Sequence, residues 1–387
     1  MSEVIIDDID SRPFFSVIIP CYNSKPERIK ELLASIYDAG CTDETEVIIV
    51  DGGSTDKSYE EEIQKVNTNS DFLDEDSEIK LNIKSFSLPQ TDENGDELIH
   101  CPGNTREYGV QQARGRWITF IDHDDLFNGP VFTKIKNIIE ETNEQYVVFS
   151  NILQVNPENR EVIQEIRYAS NWMHGKFYNL DNFWKANDFH FKKNLFANED
   201  IYVSSRVHCA LHLLGKDEVV WLPDFMYIWR AYEDSTSHAK YSDELNYMEY
   251  HFYDYLEATY KVYVDEYNKL TEDGKQISEE DREFLLRMQV DSLLFQYFYL
   301  QSFKFNNKNW LFDHEKTVKQ NFRDFYARFN MPPEYFYQIA CEKLDNDDIR
   351  DGGFATKIWY NSVRYSVTIS CGNFIETDNF KTFISSV

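Results

Sequence analysis

The sequence is poor in the residues that mark linkers, zinc ribbons and membrane spans. Its 387 residues include only 14 glycines and 10 prolines, which argues against long flexible linkers. The six cysteines form no C-x-x-C pair, so a zinc ribbon is not expected, and scattered thiols are typical of a cytoplasmic protein. No apolar run approaches the ~20 residues of a membrane span, and the acidic N-terminus lacks a secretory signal pattern. We therefore expect a cytoplasmic protein with no membrane span.

Basic residues are also scarce. The chain has 39 lysines and arginines against 68 aspartates and glutamates, a net charge of −29. A chain this acidic repels a phosphate backbone, so broad binding to duplex DNA is not expected. A phosphorylated substrate would need help from a cation. Hydrophobic residues (42%) and aromatic residues (16%) are nevertheless frequent enough for ordered cores, and the length allows two to three domains.

The first part of the chain alternates short apolar runs with helical patterns. Four of these runs are predicted to be strands: 16–20, 47–50, 117–121 and 146–150. Helical patterns between strands predict βαβ units and a mostly parallel sheet, hence an α/β domain over residues 1–240. From residue 241 the pattern becomes helical and rich in Tyr and Phe, which predicts an α-helical domain over 241–387.

Two local features refine this prediction. Ser24 and Glu27 have the spacing of a capping box, which predicts that the first helix begins at Ser24. Residues 60–97 hold twelve acidic residues and three lysines, and they read as an acidic insertion of solvated loops around one strand near 79–86. A regulatory or partner-binding role for this insertion stays open.

Polar residues follow three of the predicted strands, at 20–23, 51–54 and 122–125. Because the carboxyl ends of parallel strands meet at one edge of a sheet, these residues are expected to line one pocket. Asp122 and Asp124, spaced i and i+2, can share Mg²⁺ or Mn²⁺, which prefer oxygen ligands and can bridge to a diphosphate. The alternative is an aspartate cluster that caps the helix after residues 128–130.

Five sequence blocks together resemble the family 2 glycosyltransferases. The blocks are SVIIPCYN at 16–23, VDGGSTD at 50–56, GNTREYG at 103–109, ARG at 113–115 and FIDHDD at 120–125. Their order and spacing match the family over residues 15–240. The resemblance implies the GT-A fold, a Rossmann-like fold of nucleotide-diphospho-sugar transferases. It also implies inverting, metal-dependent transfer of a sugar from a nucleoside diphosphate, with a UDP-sugar favoured.

The resemblance assigns residues to the donor. Pro20 and Tyr22 would frame the nucleobase, Asp51 would lie near the base, and Arg106 would contact the nucleotide. His123 lies in the same nucleotide-sugar motif. The alternatives are a packed loop aromatic for Tyr22 and a surface ion pair on a helix for Arg106.

The resemblance also assigns residues to the metal and the diphosphate. Asp122 would lie near the ribose and the metal, and Asp124 would bind Mn²⁺ or Mg²⁺ together with the diphosphate. His238 is a further candidate metal ligand, with an ordinary loop histidine as the alternative.

The segment 229–238 resembles the family segment that closes over the diphosphate, usually R-x-H-x-x-S-x-S. Arg230, Ser235 and Ser237 match that pattern. Two positions depart from the family. Tyr232 stands where a histidine is common, which puts a histidine metal ligand in doubt. Gly52 stands where many members carry a second aspartate, which makes the uridine preference less secure.

Inversion requires a general base that removes the proton of the acceptor hydroxyl. The resemblance points to Asp200 as this base, with Glu199 as the second candidate, since the pair precedes a predicted helix. A helix N-terminus stabilises the ionised form of a carboxylate. The alternative is that the two acids merely favour the helix start. His174 and Lys176 fall where family members often shape the acceptor side.

The acceptor itself stays open between a glycan, a small molecule and a modified nucleobase. One alternative function is therefore a transferase that acts on a modified nucleobase or DNA, as in enzymes that decorate phage DNA. Another is a non-catalytic GT-A-fold binding module. Loss of Asp124 or Asp200 would indicate such a module, and both residues are present.

Overall fold

The computed structural model describes residues 12–41, 44–67, 81–168, 172–216, 219–234, 247–305, 312–345 and 378–387. The chain divides into two compact units, residues 1–251 and 252–387, and each is described by itself. Within the described residues, none of the helices combines the length and the apolar character that crossing a bilayer requires.

The first unit is built on a mixed sheet. Its strands are β1 Phe15–Cys21, β2 Thr45–Asp51, β3 Asn82–Ser87, β4 Trp117–Phe120, β5 Leu126–Phe127, β6 Val147–Val155, β7 Val162–Ile166, β8 Lys176–Asn179 and β9 Val220–Arg230. The strand order is β3-β2-β1-β4-β8-β6-β9-β5, and β7 pairs with β6. The strands β3, β2, β1 and β4 run parallel, as predicted. Beyond β4 the sheet is mixed, because β8 runs antiparallel to both β4 and β6.

Helices cover both faces of the parallel half. They are α1 Pro26–Asp38, α2 Glu60–Asn67, α3 Pro102–Gln112, α4 Val131–Thr142 and α5 Glu199–Leu213. Every residue of β1 and β2 is buried, which fits strands with both faces covered. On α1, the apolar residues Ile29, Leu32, Leu33 and Ile36 are fully buried. On the other sheet face α3 approaches so closely that a Cβ at Gly109 would lie 2.5 Å from Ile18 Cγ2.

The predicted start of α1 is wrong. The helix begins at Pro26 with Lys25 as the cap residue, and no side chain caps it. Proline has no N–H to lose and its φ already suits the first helical position, so it sets the start in place of Ser24. The predicted strand in the acidic stretch exists as β3, and β6 and β7 pair as an antiparallel hairpin.

The second unit is helical, which confirms the predicted α-helical C-terminal region. The helices from residue 247 onward are α6 Tyr247–Thr271, α7 Glu279–Phe305, α8 Phe312–Phe329, α9 Pro333–Asp345 and α10 Asp378–Ser386. Aromatic rings fill much of its interior: Phe322 meets Phe336 and Phe383 at ring-centroid distances of 5.1 and 5.4 Å. Many of the Tyr and Phe residues of this region are therefore core residues.

Candidate active site

The carboxyl ends of the parallel strands form one edge, as the sequence predicts. Cys21 and Asp51 are register partners, and the Gly52 amide donates to the Cys21 carbonyl over 2.7 Å. Burial, with smaller contributions from the negative charges of Asp51, Asp124 and Asp122, raises the pKa of the Cys21 thiol to about 12, although a hydrogen bond with Ser24 opposes the shift. The three aspartates therefore surround the end of β1.

Asp51 is held as an ionised acceptor beside an open aromatic ring. Its Oδ1 accepts from the Ser54 amide over 3.0 Å, and its Oδ2 pairs with Lys57 over 2.9 Å. Burial alone would raise the pKa of Asp51, but Ser54 and Lys57 hold it below its usual value. Tyr22 is 55% exposed, so its interpretation as a packed loop aromatic is wrong, whereas Pro20 is buried within β1.

The loop after β2 has little room for side chains. A Cβ at Gly52 would lie 3.0 Å from Thr105 Oγ1 and 3.3 Å from the Cys21 carbonyl. Gly53 has φ +93°, and a Cβ there would lie 2.4 Å from the His100 ring. A second aspartate at position 52 would therefore require Thr105 to move.

Arg106 joins the sheet edge to α5. Its side chain is 4% exposed, and its guanidinium donates through Nη2 to Asp122 and through Nη1 to Glu199. Burial alone would raise the pKa of Asp122, but Arg106 and His174 hold it well below its usual range. The alternative of a surface ion pair is wrong, because this ion pair is buried and bridges two carboxylates. Direct contact of Arg106 with a nucleotide stays a prediction.

The first turn of α5 brings two acids to this edge. Asn198, the cap residue, lies in the left-handed region with φ 56°, and Glu199 and Asp200 follow it. A Cβ at Gly103 would lie 3.3 Å from both Cβ and Cγ of Glu199, so the absence of a side chain lets α3 and α5 approach. The glycine of the GNTREYG block thus helps to place Glu199 against Arg106.

The two acids have different environments. Glu199 is buried and bonded to Arg106, and burial raises its pKa, although Arg106 opposes the shift and Asp200 adds to it. Asp200 is partly exposed, and its Oδ1 accepts from the Ile201 amide over 2.9 Å. Burial raises the pKa of Asp200, while His174 and Arg106 oppose the shift. Asp200 is the more accessible of the two carboxylates.

The two residues predicted for the acceptor side differ in depth. His174 Nε2 lies 3.2 Å from Asp122 Oδ2, and its ring contacts Tyr227 with centroids 5.1 Å apart. Lys176 is 2% exposed, and its ammonium donates to the Trp172 carbonyl. Burial lowers the pKa of Lys176 to about 7. His174 is therefore part of the carboxylate cluster, whereas Lys176 lies beneath it, and a role for either in acceptor binding stays a prediction.

Asp125 and Tyr227, which the sequence analysis did not single out, anchor the aspartate motif to β9. Buried Asp125 accepts from the Tyr227 hydroxyl over 2.6 Å and from the Arg230 amide over 2.8 Å. The Asp122 amide donates to the same hydroxyl over 3.3 Å. The capping alternative for this motif is wrong, because Pro130 is the cap residue of α4 and no side chain caps that helix.

Arg230 and Arg28 flank Asp124. Arg230 is 1% exposed and donates to the Asp124 carbonyl and to the Glu31 carboxylate. Arg28 Nη1 lies 3.9 Å from Asp124 Oδ2. The sequence analysis missed Arg28, although a signal exists: it precedes Leu32 by one helical turn, which places a charged residue beside the apolar face of α1.

The residues fit a cation that binds together with a substrate. No group of three or more His, Cys, Asp or Glu side chains is arranged to hold a metal ion in the part of the chain that the structure describes. Arg106 and His174 engage the oxygens of Asp122, which leaves Asp124 as the carboxylate for a metal. Magnesium sites commonly use one or two carboxylates plus substrate phosphates, so one protein carboxylate is compatible with such a site.

Four other predicted residues are placed as follows. His123, between the two aspartates, has a buried Nδ1 with no hydrogen-bond partner among the described residues. Ser235, Ser237 and His238 lie outside the described residues.

Sequence comparison finds relatives over about a third of the chain. Poly(ribitol-phosphate) beta-N-acetylglucosaminyltransferase TarS of Staphylococcus aureus is 34% identical over 129 residues, 33% of this chain and 19% of the relative. GalNAc(5)-diNAcBac-PP-undecaprenol beta-1,3-glucosyltransferase of Campylobacter jejuni is 30% identical over 145 residues, 36% of this chain and 38% of the relative. The matches thus span between a fifth and two fifths of these curated relatives.

Structure comparison extends the likeness of fold over nearly the whole chain. The crystal structure of S. aureus TarS 1-349 in complex with UDP-GlcNAc matches with a TM-score of 0.56 and 20% identity, covering 95% of this chain and 92% of that one. The crystal structure of S. aureus TarS matches with a TM-score of 0.54 and 20% identity, covering 96% of this chain and 55% of that one. At this identity the likeness establishes the fold, which confirms the GT-A prediction.

The family model described as "Glycosyl transferase family 2" matches residues 16–73 and 99–206. These two segments contain β1, β2, β4, the aspartate motif and the start of α5, which are the elements that build the candidate site. The segments 16–73 and 99–206 of this chain thus match glycosyl transferase family 2.

Proposed function

We propose that this protein transfers a sugar from a UDP-sugar to an acceptor hydroxyl, with inversion at the anomeric carbon. One observation carries the proposal: Asp51, Asp122, Asp124 and the Glu199–Asp200 pair converge at the carboxyl edge of the parallel strands, where α/β sheets bind ligands. The solved TarS fragment with the same fold contains UDP-GlcNAc, which favours a uridine nucleotide donor.

The nucleoside half of the donor would lie against the loops after β1 and β2. Tyr22 offers an exposed ring for stacking on a base. Ionised Asp51 offers a hydrogen-bond acceptor for the imide N–H of uracil. The other common bases do not present the same N–H group in the same position. Gly52 leaves Asp51 as the acidic side chain of that loop, so base selection would depend on it.

The chemical step requires a base on the acceptor side. As the acceptor oxygen forms its bond to the anomeric carbon, the bond to the diphosphate oxygen breaks and its electron pair leaves with UDP. Asp200 would take the acceptor proton, because it is the more accessible carboxylate and Glu199 is bonded to Arg106. Burial raises the pKa of Asp200, and a carboxylate with a raised pKa is a stronger base.

A divalent cation would complete the donor site. Mn²⁺ or Mg²⁺, held by Asp124 and the donor phosphates, would supply neutralisation of the diphosphate charge. Asp122 would keep its ion pair with Arg106 and its contact with His174 and thereby fix the orientation of the motif. In this arrangement the carboxylate of Asp124 would be the ligand that the chain supplies to the cation.

The acceptor is proposed only as a hydroxyl compound. The named relatives act on a poly(ribitol-phosphate) and on a lipid-linked glycan, as their names state, and the aligned segments span 19% and 38% of them. A glycan acceptor is therefore the first class to test, ahead of a modified nucleobase.

Ligand-induced stabilisation tests the donor. At a nucleotide concentration about 100-fold above Kd, binding adds about 2.7 kcal/mol, which corresponds to a rise in Tm of roughly 5–10 °C for a unit of this size. We expect UDP and UDP-GlcNAc with Mn²⁺ to give this rise and GDP to give little. Asp51→Ala should remove the difference between UDP and GDP. Equal shifts with every nucleotide, or none with UDP, would contradict the proposal.

A further inference from the structure

Arg28 is a buried cation at the candidate donor site, and no prediction from the sequence assigned it. Its side chain is 8% exposed on α1. Its Nη2 donates to Asp234 over 2.8 Å, and its guanidinium carbon lies 3.6 Å from the centroid of the Tyr232 ring. Its Nη1 lies 3.9 Å from Asp124 Oδ2, which is too far for a hydrogen bond. The guanidinium is thus fixed beside the carboxylate proposed to hold the diphosphate cation.

A second guanidinium meets the same ring. Arg230 lies 5.3 Å from the Tyr232 centroid, and its buried Nη2 has no hydrogen-bond partner among the described residues. Each guanidinium already has one carboxylate partner, Asp234 for Arg28 and Glu31 for Arg230, but burial makes the unpaired Nη2 donor of Arg230 costly. An anion that accepts a hydrogen bond from this donor would relieve the cost. Arginine forks match phosphate oxygens in geometry, so a phosphate group is the natural ligand.

The residue that holds Arg28 is also a departure from the family. Position 232 is where the resemblance to the R-x-H segment leads us to expect a histidine, and this chain has Tyr232 there. In this chain the tyrosine ring supports the Arg28 guanidinium by a cation–π contact. The tyrosine that stands in place of the expected histidine thus holds the positive charge of Arg28 against its ring.

We propose that Arg28, supported by Tyr232, is a diphosphate-binding residue of this chain and acts together with Arg230. The proposal rests on the UDP-sugar function proposed above. When the glycosidic bond breaks, its electron pair leaves with the diphosphate, and Arg28 donates hydrogen bonds to the phosphate oxygens on which that charge accumulates.

Comparison of UDP with uridine tests this role, because the two ligands differ only in the diphosphate. Calorimetric titrations in the presence of EDTA measure both affinities without a metal. Removal of a hydrogen bond from a charged donor typically weakens binding about tenfold to a hundredfold. We expect Arg28→Gln to weaken UDP binding by that factor and to leave uridine binding within about twofold, with the Tm of the free protein as a check on folding.

Lys25→Gln is the matched control. Lys25 pairs with the same Asp234 at 2.9 Å but is 50% exposed, so this variant removes an equal charge from the same carboxylate. It should leave the affinities for both ligands within about twofold. Equal losses in the two variants, or a loss of uridine binding that matches the loss of UDP binding in Arg28→Gln, would overturn the proposal.

Tyr232→Leu provides a second route if Arg28→Gln does not fold. It removes the supporting ring and keeps every charge, and we expect weaker UDP binding by about threefold to tenfold with uridine binding unchanged. Unchanged UDP binding in this variant would also overturn the proposal. If the wild-type protein binds neither UDP nor uridine, the proposed function fails and the role of Arg28 fails with it. If it binds UDP and the variants bind UDP equally well, only the role of Arg28 fails.

Discussion

Replacement of Arg106 by methionine tests whether one buried guanidinium holds the candidate site together. Arg106 bridges Asp122 at the end of β4 and Glu199 at the start of α5. Arg106→Met keeps a side chain of similar length and removes the charge. Both carboxylates then keep their positions without a counter-ion.

The size of the effect follows from burial. The side chains of Arg106 and Glu199 are 4% and 10% exposed, and that of Asp122 is 31% exposed. Removal of one partner from a buried ion pair costs about 3–5 kcal/mol. Because Asp122 is partly solvated, we expect a loss of unfolding free energy near the lower end, about 3 kcal/mol at pH 7.5.

The loss should shrink as the pH falls. In the wild type the depressed pKa of Asp122 stabilises the fold above the unfolded pKa, and this contribution disappears as the pH is lowered. In Arg106→Met the carboxyls of Asp122 and Glu199 lose their counter-ion, so their pKa values rise. A carboxyl group whose pKa is higher in the folded protein than in the unfolded chain stabilises the fold at pH values below the unfolded pKa. This stabilisation is lost as the pH rises. Only the raised pKa values of the variant act between pH 7.5 and pH 5.5, because the wild-type contribution of Asp122 is lost only below its unfolded pKa, and they make the deficit of the variant smaller at pH 5.5.

Urea unfolding followed by tryptophan fluorescence measures this difference. Five of the seven tryptophans lie in residues 1–251, so the signal reports mainly on the unit that carries the site. Arg167→Met is the control, because Arg167 pairs with Glu165 at 2.9 Å while both side chains are about half exposed. An exposed pair of this kind contributes less than about 1 kcal/mol. Equal losses in the two variants, or a loss that grows toward pH 5.5, would refute the reasoning.

Four further predictions concern the same edge of the sheet. Asp200→Asn should leave UDP affinity nearly unchanged and lower kcat by ~10²-fold or more, and Glu199→Gln should retain more activity. A coupled UDP-release assay measures kcat, and full activity of Asp200→Asn in that assay would show that another residue is the base. Asp124→Ala should abolish the gain in UDP affinity that Mn²⁺ provides, as titrations with and without the metal would show. The acidic limb of the kcat–pH profile should lie above pH 3.8, the ordinary aspartate value, because Asp200 must be ionised and burial raises its pKa; a limb at or below that pH would contradict this assignment. Tyr227→Phe should cost about 1–3 kcal/mol of unfolding free energy by leaving Asp125 without its hydroxyl donor, and an unchanged urea midpoint would show that this hydrogen bond contributes little.

The elements of the parallel half were predictable because their signals are local. β1, β2 and β4 are short apolar runs, and each is followed by polar residues. A parallel sheet then brings those polar residues to one edge without further information. For this reason Asp51, Asp122 and Asp124 could be assigned to one pocket before any coordinates were considered.

The second half of the sheet was not predictable in the same way. β8 inserts between β4 and β6 and runs antiparallel to both, and β9 returns alongside β6. Neither placement has a local sequence signal. A strand of four buried residues does not by itself indicate which strands it pairs with, in which direction or in which register. The prediction of the start of α1 was wrong for a different reason. Two helix-start signals overlap there, and the helix begins at Pro26 and not at the capping pattern of Ser24.

The sequence by itself determined the chemistry that the chain can offer: aspartates after buried strands, an acidic pair at a helix start, and a large excess of acidic over basic residues. Only the tertiary structure decided which cations those acids meet. Arg106 reaches Glu199 across 93 residues, and Arg28 reaches Asp234 across 206. Such pairs arise because a buried charge must find a partner, and the fold of the whole unit determines which partner lies within reach.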